Sequence, residues 1–158
     1  MIEITVCNYS DPAHREAIAS LINAYIDDEM GGGVLLSQEE QQRMIDGLSA
    51  HPKSIVLLAC DADVFVGMLT AFENFSTFTA QPMINIHDVF VLNDWRGKGV
   101  GRKLMNAIIA EAGKRKCSRI TLEVRKDNVK AQNLYQSLGF DEAGHGMFYW
   151  RKYLTNTV

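Results

Sequence analysis

The seven residues Arg96-Gly97-Lys98-Gly99-Val100-Gly101-Arg102 combine three glycines with three cations. They follow an apolar, strand-like run from Ile86 to Leu92 and open into a helix-like run from Leu104 to Ala112. A glycine turn between strand and helix leaves backbone N–H groups free at the positive end of the helix dipole, which suits phosphate oxygens. Glycine also lets the backbone approach a bulky anion closely and adopt positive φ. Arg96 and Arg102 bracket the turn and can add charge-assisted contacts. The spacing G-x-G-x-G departs from the dinucleotide fingerprint G-x-G-x-x-G, and no Ser or Thr follows Gly101 where a P-loop requires one. These residues point to a pyrophosphate-bearing ligand other than NAD or Mg-ATP.

The elements that must hold this turn can be read on either side of it. Ile2, Ile4 and Val6 alternate with polar residues as a first strand. Asp11-Pro12 starts a helix, with Asp as N-cap and Pro at the first helical position. Ile18, Leu21, Ile22, Tyr25 and Ile26 give that helix one apolar face, and Gly31-Gly32-Gly33 ends it. Ser37 and Glu40 form a capping box for a second helix that stops before Pro52. Residues 54–60 and 64–75 read as a hairpin, and 83–92 as the strand before the glycine turn. A helix over 99–115, a strand at Ile120, Leu122 and Val124, a helix over 129–137 ended by Gly139, and a last strand near 147–153 complete the order. The fold class is α/β: one domain over 1–158, with a mixed, mostly antiparallel sheet of six to seven strands and about four helices.

Composition narrows the function. A hydrophobic fraction of 47% and a charged fraction of 22% belong to an ordinary globular chain. The net charge of −3 argues against nucleic acid as a partner. Cys7, Cys60 and Cys117 are widely spaced and odd in number, so reduced thiols and a cytoplasmic setting are expected. The start Met1-Ile2-Glu3-Ile4 has no secretory pattern, and no apolar stretch approaches a membrane span.

Arg96 to Gly101 fits R-G-x-G-[VI]-G, which resembles the acetyl-CoA loop of the GNAT superfamily of N-acyltransferases. The run from Asp127 to Phe140 looks like that family's second signature, N-x-x-A-x-x-x-Y-x-x-x-G-F, with Asn128, Ala131, Tyr135, Gly139 and Phe140 in register. The two motifs stand in the family's order. The resemblance implies acetyl-CoA as cofactor, CoA as product and no metal. It places the pantetheine arm along the backbone of Val89, Phe90 and Val91, and the pyrophosphate against Gly97, Lys98, Gly99, Val100, Gly101 and Arg102. Arg96 would contact phosphate or anchor the loop. Asn128 would meet the pantetheine, with Lys130 and Ala131 nearby on the same helix. Tyr135 would protonate the departing sulfur.

Acyl transfer to an amine also needs a base, because a free alkylammonium has a pKa near 10. His87 and Asp88 precede the cofactor strand, where diamine acetyltransferase-like members carry an acidic pair. Strand alternation is expected to point them to opposite faces; His87, Asp88 and a water chain all stand as routes for the proton. Asp27, Asp28 and Glu29 put three carboxylates beside the glycine triplet and suit a cationic acceptor. Tyr25, Phe75, Phe78 and His145 are expected around the same cleft. The leading expectation is an acetyl-CoA-dependent N-acetyltransferase acting on a primary amine of a small molecule such as a polyamine, diamine or aminoglycoside. A protein or peptide N-acetyltransferase and a non-catalytic CoA-binding module are the alternatives. The resemblance further implies a homodimer, to which the run Met147-Phe148-Tyr149-Trp150 is suited.

Overall fold

The computed structural model describes residues 1–142, 144 and 146–154. Five strands form one sheet in sequence order: β1 (Ile2–Val6), β2 (Ser54–Asp61), β3 (Val64–Ser76), β4 (Gln81–Val91) and β5 (Ile120–Leu122). β1 to β4 pair antiparallel, while β4 and β5 pair parallel. The sheet is mixed, as expected, but among the described residues it has five strands rather than six to seven. Residues 147–153 alternate like a strand yet form none and are exposed. A strand exists only against a partner's backbone, and this segment pairs with neither edge strand of the sheet, β1 or β5. His145 lies outside the described residues.

Four helices cover the two faces: α1 (Pro12–Asp27), α2 (Gln38–Ala50), α3 (Val100–Lys114) and α4 (Val129–Ser137). α1 begins where Asp11 accepts from Ala13 N–H with Pro at its start, and the Ser37–Glu40 capping box opens α2. α3 buries Val100, Leu104, Met105, Ile108 and Ala112 against Leu57, Leu69, Ala71, Ile84, Ile86 and Val91. α1 buries Ala17, Ile18 and Leu21 on the other face, against Val56, Leu58, Met68 and Phe90. Each fully buried aliphatic side chain contributes about 1.5–3 kcal/mol, so the core firmly anchors the strand and helix that carry the glycine turn. Among the described residues, no helix is long and apolar enough to cross a membrane.

Candidate active site

A gap opens where β4 and β5 part. β5 pairs with β4 at three positions only, Ile84 with Ile120, Asn85 with Thr121 and Ile86 with Leu122. Val124 was expected to continue that strand, but the chain leaves the ladder after Leu122. Beyond Ile86 the second edge of β4 has no strand partner among the described residues. Leu92 N–H donates to Val66 C=O at 2.9 Å, which sets the phase of the β3–β4 ladder. By alternation, Phe90 turns its backbone groups to β3, while Val89 and Val91 turn theirs into the gap. A cavity of about 810 Å³ runs along this edge, within the size range of small-molecule and cofactor sites.

The glycine turn closes one end of the cavity. A short 3-10 turn, Asn93–Trp95, leads into Gly97 at φ 75° and Gly99 at φ 82°, both in the left-handed region where side chains are strained. Gly99 caps α3 without any side-chain bond to the first-turn N–H groups. Gly99, Val100, Gly101 and Arg102 line the cavity at that end. Gly101 also serves packing, because a Cβ there would stand 3.2 Å from Leu134 Cδ2 of α4. Arg102 Nη2 donates to Ser137 Oγ at 2.8 Å. Lys98 is not in the cavity wall; its ammonium lies 5.8 Å from the Trp95 ring centre. Arg96 lines the cavity and is held there by two contacts. Its Nε donates to Val91 C=O at 2.8 Å and its Nη2 to Asp28 Oδ2 at 2.7 Å.

α4 supplies the opposite wall. Asn128 caps it, accepting from Ala131 N–H at 3.2 Å, and Lys130 and Ala131 follow along the cavity. Tyr135 comes from the same helix. Burial, and then the neighbouring Tyr25, push its phenol up to about 12, so it carries its proton at neutral pH. Tyr25 reaches in from α1 and stacks on Phe90 at 5.4 Å. Its own phenol is raised by burial first, then by Asp88 and Asp28. Glu29 lines the cavity and is exposed. Asp28 lines it too, but its carboxylate is taken up by Arg96 and by Met30 N–H at 3.0 Å. Burial alone would raise the Asp28 carboxyl; these two partners hold it below its ordinary value.

His87 and Asp88 correct the alternation argument. Thr70 pairs with Asp88 and Ala71 with Ile86, so His87 is the extra residue of a β-bulge. The bulge brings the two side chains to one side: His87 Nδ1 stands 3.4 Å from Asp88 Oδ2, and that carboxylate accepts from Thr70 Oγ1. His87 lines the cavity; Asp88 stands behind it. The sequence carries the mark of this bulge. The core-facing series Ile84, Ile86, Val89, Val91 changes parity between 86 and 89, which a regular strand never does.

Phe78 lies elsewhere. It sits in the β3–β4 turn, 94% exposed, and Phe75 is likewise away from the cavity wall. Conversely, Glu123, Arg125 and Trp95 line the cavity without having been singled out. Arg125 is held in a fork by Asp127, at 2.9 Å from Nε and 2.7 Å from Nη2. Ile120, Leu122 and Val124 alternate as one strand and so conceal the divergence that turns Glu123 and Arg125 to the cleft. Among the described residues, no group of three or more His, Cys, Asp or Glu is placed to hold a metal ion.

The donor set fits acetyl-CoA. Free N–H groups at the α3 start suit a pyrophosphate, and the open β4 edge suits the two amides of a pantetheine arm. The sequence model of the acetyltransferase (GNAT) family matches residues 10–140. The Uncharacterized N-acetyltransferase YhfO of Bacillus subtilis (strain 168) is 28% identical over 126 residues, covering 80% of this chain and 83% of that protein. The thialysine N-epsilon-acetyltransferase of Mus musculus is 35% identical over 108 residues, 63% of this chain and 63% of that one. In the solved structures, AAC(6')-Iy in complex with the bisubstrate analogue CoA-S-monomethyl-acetylneamine superposes with a TM-score of 0.78 at 18% identity, over 96% of this chain and 99% of that one. At that identity the likeness is one of fold. With a family match over most of its length and a cleft built for the family's cofactor, the chain belongs to the acetyltransferase (GNAT) family and is an acetyl-CoA-dependent N-acetyltransferase.

Proposed function

We propose that the chain acetylates a primary amine of a small cationic molecule, of the diamine, polyamine or aminoglycoside kind, by direct attack. The observation that carries this reading is the place of Tyr135, largely buried, in the wall of a cleft whose other sides are the open β4 edge and the α1–α2 loop. Acetyl-CoA supplies an activated thioester carbonyl. The N–H groups of Val89 and Val91 donate to carbonyls laid along their edge, and the first turn of α3 faces the pyrophosphate. Tyr135 gives its phenolic proton to the departing sulfur, which avoids releasing a free thiolate. His87, at the cavity rim, takes the proton from the acceptor's ammonium, and Asp88 orients the imidazole from behind. Glu123 lines the cavity without a hydrogen-bond or ion-pair partner among the described residues, Glu29 lines it within electrostatic reach of Arg125, and the two carboxylates favour a cationic acceptor.

The diamine reading is supported by the thialysine relative, which by its name acts on a side-chain amine. CoA release, followed with a thiol reagent across diamines, polyamines, aminoglycosides and basic peptides, tests it. Turnover concentrated on small polyamines is the expected result. Turnover of peptides alone would move the function to protein acetylation, and acetyl-CoA binding without any turnover would leave a binding module.

A further inference from the structure

Asp28 directly follows the last residue of α1, and its side chain is only 7% exposed. The contacts around it close a circuit. Asp28 Oδ2 accepts from Arg96 Nη2, and Arg96 Nε donates to Val91 C=O at the end of β4. The Arg96 guanidinium also lies 5.5 Å from the centre of the Phe90 ring. Phe90 stacks on Tyr25, which returns the circuit to α1. The chain after Asp28 is folded back tightly over the helix end. Gly31 N–H donates to Asp28 C=O at 2.9 Å and Gly32 N–H to Ile26 C=O at 3.0 Å. A Cβ at Gly31 would stand 1.9 Å from the Tyr25 carbonyl oxygen, so no other residue fits this wrap. The Asp28 carboxylate is thereby shared between Met30 N–H at 3.0 Å and Arg96.

We propose that Asp28 is a positioning residue for acetyl-CoA and not a contact for the acceptor amine. Through Arg96 it fixes the end of β4, the open-edge groups of Val89 and Val91, and the first residue of the glycine turn. The Val91 carbonyl is already accepting from Arg96, so the edge presents Val89 N–H, Val89 C=O and Val91 N–H to the ligand. Without Asp28, Arg96 is no longer held across that carbonyl, and the edge and the turn lose their common reference point. This inference rests on the transferase reading only in that the cleft takes acetyl-CoA.

The sign of one measurement separates the latch from simple electrostatics. CoA is a polyanion, so removing a carboxylate from its cavity and freeing an arginine should tighten binding by Coulomb attraction. The latch requires the opposite. Isothermal titration of acetyl-CoA into the full chain would compare wild type with Asp28→Asn, Arg96→Gln, the double variant and Asp27→Asn, which removes a neighbouring carboxylate outside the cavity wall. Asp28→Asn and Arg96→Gln should each weaken binding about tenfold, and the double variant no further than the weaker single, the signature of one coupled pair. Asp27→Asn should bind as wild type does. Circular dichroism at the assay temperature checks that each variant is folded. Should Asp28→Asn fail to fold, Asp28→Glu keeps the charge and displaces it by one methylene, and its affinity should fall. Unchanged or tighter binding in Asp28→Asn, wild-type affinity in Asp28→Glu, or additive losses in the double variant would overturn the latch. Wild type that binds acetyl-CoA but acetylates no amine would remove the transferase reading and leave the latch standing. Wild type that does not bind it would remove both.

Discussion

Tyr135 is where burial has the most direct chemical consequence. A phenol pushed up to about 12 stays protonated across the range in which an amine can be activated. Tyr135→Phe keeps the ring and its packing, so kcat should fall by about 10²–10³-fold while acetyl-CoA affinity stays unchanged; steady-state kinetics and titration read the two separately. The same shift acts on stability at high pH. A folded-state pKa raised from 10.0 to about 12 gives a contribution that is complete below pH 10 and is lost as pH rises toward 12. Wild type should lose stability relative to Tyr135→Phe across that window. For His87, replacement by Gln should lower kcat and flatten the acidic limb of the pH–rate profile; an unchanged limb would assign the base to another group. Residue types were legible here, because Tyr135 and Asn128 stand in a spaced motif. Partnerships were less so. Asp28 and Arg96 are 68 residues apart, and nothing local in either segment announces that they neutralise each other.

At the scale of elements, α3 must point its first turn into the cleft, and its other end is pinned for that purpose. Glu73 of β3 receives Lys53 and Arg115, and Arg115 also binds Glu111 of α3. The Glu73 carboxyl is held below its ordinary range, first by Lys53 and then by Arg115. A depressed carboxylate contributes stability that is present above its unfolded pKa and is lost as pH falls through the folded one. Glu73→Gln should therefore cost about 1 kcal/mol near neutral pH, and the difference should vanish in acid, which denaturant melts at several pH values can check. The helices were legible from their caps and apolar spacing because those signals are local. β5 was read too long, since side-chain alternation persists after the backbone has left the ladder. The bulge at His87 was written in the parity of the apolar residues, but it shows only when two cores are assigned to two faces.

For the whole molecule, the order of elements and the mixed sheet followed from the pattern, while the strand count depended on whether the last segment finds an edge. Met147, Phe148, Tyr149, Trp150 and Tyr153 are all more than two-thirds exposed. A row of this kind is costly in water for one copy alone. We propose that it packs across the expected homodimer, whose mass by light scattering should be twice 17.7 kDa. A monomer at micromolar concentration would assign the row another role.

The three-pair junction between β4 and β5 has a consequence in isotope exchange. Amide protons of Ile84 and Ile86 sit within the parallel ladder, whereas those of Val89 and Val91 look into the open cavity. The unliganded chain should take up deuterium at 89 and 91 far faster than at 84 and 86, although all four lie on one strand. Acetyl-CoA should slow the fast pair selectively. One strand would then show two clocks, and the ligand would set the second one to the time of the first.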